Sequence, residues 1–410
     1  MIQESSSMKK LAIPLALSSL LIASVSAHAA DKDSDRESDS RSHRIRTLAI
    51  FGDAPYGTTP TDTAQFAAMP AFIDAINADR DVSMAIHVGD IHSGSQYCTE
   101  AYDRSVYALW TRFQVPLIYT PGDNEWADCH KAKEGGGTYN AASGNIDYVR
   151  DANGNPVNYM GGDPVANLDL VRSIFFTNPG HSLGAHKLVK SQFHAHDRAH
   201  PSDAKYVENV MWQQSDILFA TLNIPGGSNN DTDPWYGAPA VSDRQAQESS
   251  ERTAADLRWL DAAFVRARSE EAQAIVLVAQ ADMWDLDGKA PSHIAQYKPF
   301  VDRIAALAQA FGKPVLLLNG DSHVYRSDNP LMPGMPCVTE DAAGTGQAAC
   351  ANDAYANQPN GYKVPNFHRI TVHGSTAPVE WLKLSIDPRA RAANGANGFG
   401  PFSWQRMSPR

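Results

Sequence analysis

The sequence has no Cys-x-x-Cys pair, no tract of clustered lysine and arginine, no internal repeat, and no unbroken apolar run of the ~20 residues that a membrane-spanning helix needs. Each absence removes a class. Without paired thiols, a thiolate zinc site or a dithiol redox centre is disfavoured. Without a basic stripe, and with a formal net charge of −11, the surface does not suit a nucleic acid. The cysteines present, Cys98, Cys129, Cys337 and Cys350, are even in number, which suits an oxidising compartment and permits two disulfides in three connectivities. The Cys337 to Cys350 spacing makes that pair the natural short-loop bridge and leaves Cys98 with Cys129.

At the N-terminus, Lys9 and Lys10 precede an apolar run from Leu11 to Val25 that closes on Ala27-His28-Ala29-Ala30. That pattern predicts a secretory signal peptide over residues 1–30, and export to the periplasm or the medium with no membrane span after cleavage. Residues 31–44 are Asp, Ser, Arg and Lys with almost nothing apolar, too little to offset the entropy of ordering, so a disordered leader is expected there. Residues 45–410 are read as one large domain with an insertion at about 127–212, a stretch rich in Gly, Asn, His and Asp. Oligomeric state is not legible.

Five segments share one grammar, a short aliphatic run ending in turn residues: Thr47 to Gly52, Met84 to Gly89, Pro116 to Gly122, Ala274 to Gln280 and Val315 to Gly320. Runs this short, bounded by turns, read as buried strands. Helical spacing appears over Phe66 to Asn77, Ala101 to Phe113, Ser249 to Arg268 and Pro299 to Phe311, so the class is α/β. Asp216 to Ile224 and Asn366 to Ile386 alternate more strictly and are expected to form a second, mixed or antiparallel sheet.

The chemistry sits where the strands end. Their termini deliver Asp53, Asp90, Asp123 with Asn124, Gln280 with Asp282, and Asp321 with His323. In α/β sheets ligands gather beyond the carboxyl ends of the strands. Five such ends converging would set several oxygen ligands and an imidazole around one crevice, which suits two divalent metals such as Zn, Mn or Fe, with Mg or Ca compatible with the oxygen-rich set. Two cations roughly 3.5–4 Å apart can clamp a phosphate and acidify water, chemistry that a phosphoester anion needs. Asp90 is the candidate bridging carboxylate. Taken singly, an Asp after a Gly at a strand end is an ordinary turn or capping residue; the joint pattern carries the reading.

The order Asp, Gly-Asp, Gly-Asp-Asn-Glu, a strand-end Gln and Gly-Asp-x-His resembles the calcineurin-like metallophosphoesterases over about Ile45 to Pro388. The resemblance implies a four-layer α/β/β/α sandwich of two mixed β-sheets flanked by helices, a dinuclear site and a small phosphorylated substrate. It matches Asp53, Asp90 and His323 to metal ligands. Elsewhere this chain departs: Pro55, Asn124, Gln280 and Asp321 stand where many members have histidine, and Asp123 where they have asparagine. Asp123 and Asp321 still offer oxygen ligands, and Gln280 an amide oxygen.

Asn124 is the sharper departure, since an amide can orient a leaving oxygen but has no proton to give it. His92, His130 and Asp282 are the nearest replacement acids in the sequence; Tyr56 is a candidate to fill the gap left by Pro55. Asn223, before the run Pro225 to Asn230, and Arg326 are candidates to hold the substrate. The expected activity is phosphomonoester or phosphodiester hydrolysis. The alternatives are a catalytically inactive binding protein on the same fold, motivated by the missing imidazoles, and a sugar hydrolase using Asp123 and Glu125.

Overall fold

The structure is a computed structural model and describes residues 45–57, 60, 64–230, 232–285, 291–332, 334–344, 346–351, 361–390 and 397–408. The signal and leader readings, residues 1–30 and 31–44, lie outside the described residues. The strands, in chain order, are β1 (Arg46–Phe51), β2 (Val82–His87), β3 (Pro116–Tyr119), β4 (Gly137–Asn140), β5 (Asn145–Tyr148), β6 (Leu183–Gly184), β7 (Lys190–Ser191), β8 (Val210–Gln214), β9 (Ile217–Thr221), β10 (Ala274–Val278), β11 (Val315–Asn319), β12 (Arg326–Asp328), β13 (Val338–Glu340), β14 (Gln347–Ala349), β15 (Phe367–Thr371), β16 (Trp381–Ile386), β17 (Gly398–Phe399) and β18 (Phe402–Met407). The longer helices are α1 (Ala64–Ala78), α2 (Glu100–Trp110), α3 (Pro164–Phe175), α4 (Asp243–Ser269) and α5 (Lys298–Phe311).

One sheet runs β17-β18-β16-β1-β2-β3-β6 and the other β14-β13-β12-β15-β11-β10-β9-β8-β7, while β4 and β5 form a separate hairpin. Strand alternation decides how they stack. In β1, Leu48 and Ile50 face the other sheet, where they meet the cluster containing Val276, Val278, Leu316 and Leu318. Ala49 and Phe51 point the other way, onto Phe72, Ile73, Trp110 and Val171 of α1, α2 and α3. The second sheet repeats the pattern, with Ile275, Leu277, Val315 and Leu317 packed on Trp259, Phe264, Phe300 and Ile304 of α4 and α5. The result is a four-layer α/β/β/α sandwich of two mixed sheets. Burying each of these large side chains contributes ~1.5–3 kcal/mol, so the three apolar layers hold the strand ends in a rigid frame.

The sheets do not divide as the alternation suggested. β9 runs parallel to β10, and β15 parallel to β11, within one sheet, whereas β16 pairs antiparallel with β1 in the other. Both faces of every central strand are covered, so alternation of apolar and polar residues carries no sheet label. Each sheet has a parallel centre, β1-β2-β3 and β9-β10-β11-β15, and antiparallel edges. Two disulfides, Cys98–Cys129 and Cys337–Cys350, close with Cα separations of 5.8 and 5.4 Å. Among the described residues, no helix is long and apolar enough to cross a membrane.

Candidate metal centre

The parallel strands of both sheets end on the same edge of the sandwich, and their first loop residues carry the acids. Asp53 follows β1, Asp90 follows β2, Asp123 follows β3, and Asp321 and His323 follow β11. Asp53, Asp90, Asp321 and His323 have φ of 52°, 59°, 73° and 62°. Left-handed backbone at a non-glycine residue costs ~1–3 kcal/mol and persists only where the surroundings impose it. Here it turns each side chain back over the strand ends.

Asp53, Asp90 and His323 each present a ligand atom within 4.8 Å of the others. The Asp53 carboxylate accepts from the Asp321 backbone N–H at 3.1 and 3.2 Å, and its Oδ1 lies 3.4 Å from His323 Nε2. On the far side of the imidazole, Ser375 Oγ lies 2.9 Å from Nδ1, while the Thr376 hydroxyl and the Gly374 N–H donate to the His323 carbonyl. That contact at Nδ1 leaves Nε2 as the ligand nitrogen. The Tyr56 hydroxyl is 3.3 Å from the same Nε2. Burial, then the charges of Asp53 and Asp90, push its phenol well above the ordinary value, so Tyr56 keeps its proton.

The second half of the cluster is held by amides. Asn124 donates from Nδ2 to Asp90 Oδ2 at 2.9 Å and to the His92 carbonyl at 3.1 Å. Gln280 donates from Nε2 to Asp123 Oδ1 at 2.9 Å and to Asp90 Oδ2 at 3.3 Å, while its oxygen accepts the Gly226 N–H. Gln280 therefore turns its nitrogen, not its oxygen, toward the carboxylates and bridges Asp90 and Asp123. Gly226 is a glycine for a steric reason: a Cβ there would lie 2.6 Å from Asp321 Oδ1 and 2.7 Å from Asp123 Oδ2. The same reading puts Asp123 and Asp321 on either side of one backbone position.

These groups open into a cleft of about 740 Å³ lined by Asp90, Asp123, Asn124, Asp321 and His323 together with Lys131, Lys133, Asp128, Asp233, Gly227 and Ser228. Gly227, Ser228, Asn229 and Asn230 form a left-handed turn, with φ between 56° and 60°. The buried Arg252 guanidinium fixes it by donating to the Asn223 carbonyl, the Asn229 carbonyl and Asn229 Oδ1.

Five sequence candidates are not brought to the cleft. Asp282 is buried with its carboxylate held by Arg369, by Ser322 Oγ at 2.9 Å and near Arg326. Its oxygens face guanidinium and hydroxyl donors rather than the cleft. Arg326, on β12, lies 3.7 Å from Asp282 and 3% exposed, behind the site. Asn223 is wholly buried, its Nδ2 donating to Glu208 Oε1 at 2.8 Å. His92 packs edge-on against Tyr102 with Nδ1 at 3.2 Å from the Ser93 carbonyl, and burial lowers its pKa to about 4. His92 also lies near Cys98 and Cys129, but those sulfurs are closed in a disulfide, so no metal site forms there. His130 accepts the Tyr236 N–H at Nδ1, and burial lowers it to about 4 as well.

The donor set fits divalent cations on electrostatic grounds. Asp90 is pushed well above the ordinary carboxylate range, first by burial and then by the charges of Asp123, Asp53, Glu125 and Asp321. Asp123 is pushed up to about 6 by burial and by Asp128, against the pull of Lys131. Carboxylates crowded this closely at 0–7% exposure are at odds with one another unless positive charge lies between them. Lys131 does not supply it, because its ammonium is spent on Asp128 at 2.6 Å and Asp233 at 3.2 Å.

No family model matches this sequence, and no curated protein is similar to it. Among solved structures, one similar chain is a purple acid phosphatase isolated from yellow lupin (Lupinus luteus) seeds, at 13% identity and a TM-score of 0.37. The match covers 83% of this chain and 49% of that one, so this chain spans about half the length of that enzyme.

Proposed function

We propose that this protein is a metal-dependent phosphoester hydrolase, acting on small phosphomonoesters or phosphodiesters outside the cytoplasm. One observation carries the reading: four buried or half-buried aspartates and a histidine from both sheets meet at one cleft with too little cationic charge to balance them. Asp53, Asp90 and His323 would hold one divalent cation, and Asp90, Asp123 and Asp321 a second. Two such cations supply Lewis acidity toward phosphate and an acidified water, as Zn, Mn or Fe do in dinuclear sites. The chain's own residues do the rest. Gln280 orients Asp90 and Asp123 by donating to both, and Asn124 orients Asp90, each through its amide N–H donors. Ser375 fixes the His323 ring. Lys133 and the Gly227-Ser228 turn border the space where a phosphate would sit.

The test is turnover of p-nitrophenyl phosphate and bis-p-nitrophenyl phosphate with Mn, Zn or Fe added, beside Asp90→Asn. Hydrolysis that requires metal and is abolished in Asp90→Asn supports the reading. No activity above that of Asp90→Asn with any metal or substrate would sink it and leave a non-catalytic binding protein, the reading favoured by the amide at position 124.

A further inference from the structure

An alkoxide is a poor leaving group at neutral pH, and an acid at the rim of this cleft would speed its departure. Asn124 has none to give, and His92, His130 and Asp282 are turned elsewhere. Of the two ammonium groups lining the cleft, Lys131 is bound between Asp128 and Asp233; burial opposes its charge, but Asp128 more than offsets this and raises its pKa, making it a poorer proton donor.

We infer that Lys133 protonates the leaving-group oxygen, an inference that rests on the phosphoesterase reading above. Lys133 lines the cleft, and its side chain is 62% exposed. Lys133 and Asn124 approach one point above Gly94: a Cβ there would lie 3.2 Å from Asn124 Oδ1, 3.3 Å from Lys133 Nζ and 3.3 Å from Glu134 Oε1. A side chain at position 94 would crowd the ammonium and the amide together. Asn124 is itself bonded to Asp90, so the order from the carboxylates outward is Asp90, Asn124, Lys133. An ester whose phosphate rests by Asp90 would direct its outward oxygen to Nζ.

Glu134 is the second observation. It is wholly buried, and neither of its carboxylate oxygens has a hydrogen-bond partner; Lys133 Nζ, 3.5 Å from Oε1, is the cation beside it. A buried carboxylate without hydrogen bonds costs the fold, and its place under Lys133 restrains that side chain over the cleft. The step balances without an outside reagent. Water forms the new P–O bond and gives up one proton; the old P–O bond breaks with its electron pair on the leaving oxygen; that oxygen takes a proton from Nζ, and the exposed amine regains one from solvent.

The experiment compares wild type, Lys133→Ala and Lys133→Arg, loaded with the supporting metal, on 2,4-dinitrophenyl, p-nitrophenyl, phenyl and primary alkyl phosphates. A proton donor makes the loss grow with leaving-group basicity. Lys133→Ala is expected to lose least on the dinitrophenyl ester and ~100-fold in kcat/KM on the alkyl ester. Lys133→Arg should follow it, because a guanidinium keeps the charge but does not release its proton. A loss equal across the series, restored by arginine, would reduce Lys133 to a phosphate contact and overturn the inference alone, as would no loss at all. Wild type inactive on every ester would overturn the phosphoesterase reading, and this inference with it. Lys133→Arg keeps a cation beside Glu134, so it reads the proton donor apart from any effect of the alanine on the fold.

Discussion

At the scale of single residues, the site is built at the expense of stability. Asp53, Asp90, Asp321 and His323 are all left-handed, and Asp90 sits among like charges with its pKa well raised. A raised acid stabilises the folded chain below its unfolded pKa, and that stability is lost as the pH rises from the unfolded value through the folded one, so the metal-free protein carries a cost near neutrality. Asp90→Asn removes it. In urea unfolding at pH 7.5, metal-free Asp90→Asn is expected to be at least as stable as wild type, and only wild type should gain from added metal, by ~2.7 kcal/mol at a hundredfold excess over Kd. A metal-induced gain equal in both proteins would refute the ligand role of Asp90. Ser375 belongs to this scale too. Removing its hydroxyl from His323 Nδ1, in Ser375→Ala, is expected to weaken metal binding ~10-fold in a chelator competition, with the fold intact. Unchanged affinity would show that the ring is oriented by other contacts.

At the scale of elements, the legible parts were those whose physics is local. Each site aspartate follows an apolar run that can only be a buried strand, so Asp53, Asp90, Asp123 and Asp321 could be read from position alone. Lys131, Lys133 and Glu134 could not, because they lie in and beside a short 3-10 turn, Ala132–Glu134, whose place is set by the distant Asn158 and by the Cys98–Cys129 bridge. The Gly226–Asn229 turn is a half case: Gly and Asn tolerate left-handed backbone, but the Arg252 that fixes it lies on α4. Sheet membership of β15 and β16 was illegible, since both faces of a sandwich strand are covered. The Cys98–Cys129 bridge joins the loop carrying Gly94 to the turn carrying Asn124, with a sequence separation of 31. In the chain-entropy account, replacing both cysteines by serine costs ~3.5 kcal/mol, against ~3 for the Cys337–Cys350 loop with its separation of 13. Urea midpoints with constant slope measure both; a first loss well below the second would mean that the bridge does not restrain the unfolded chain as its span requires.

At the scale of the whole molecule, two sets of buried groups pull stability in opposite directions as the pH changes. Burial raises Asp103 and Glu134, so acidification favours the fold through them. Burial also lowers His87 to about 3 and His368 to about 4, and these act the other way. Above pH ~6.5 neither imidazole is charged in either state; as the pH falls below 6.5, the unfolded chain takes up protons that the folded core refuses, and stability drains away until the folded values are reached. The net profile thus hides each contribution, and a difference between two proteins is needed to see one. His87 sits among Phe51, Trp110 and Tyr119 with Nδ1 accepting the Gly89 N–H at 3.1 Å, a bond that a glutamine oxygen can replace. His87→Gln is expected to lose stability at pH 7.5 through poorer packing, and then to close on wild type by ~2 kcal/mol at pH 5, because only wild type must keep an imidazole neutral there. Urea unfolding of both proteins across that range reads the gap directly. A gap constant with pH would mean that His87 takes up its proton equally in the folded and unfolded chain, and that the aromatic layer between β1, β2 and α2 does not exclude charge.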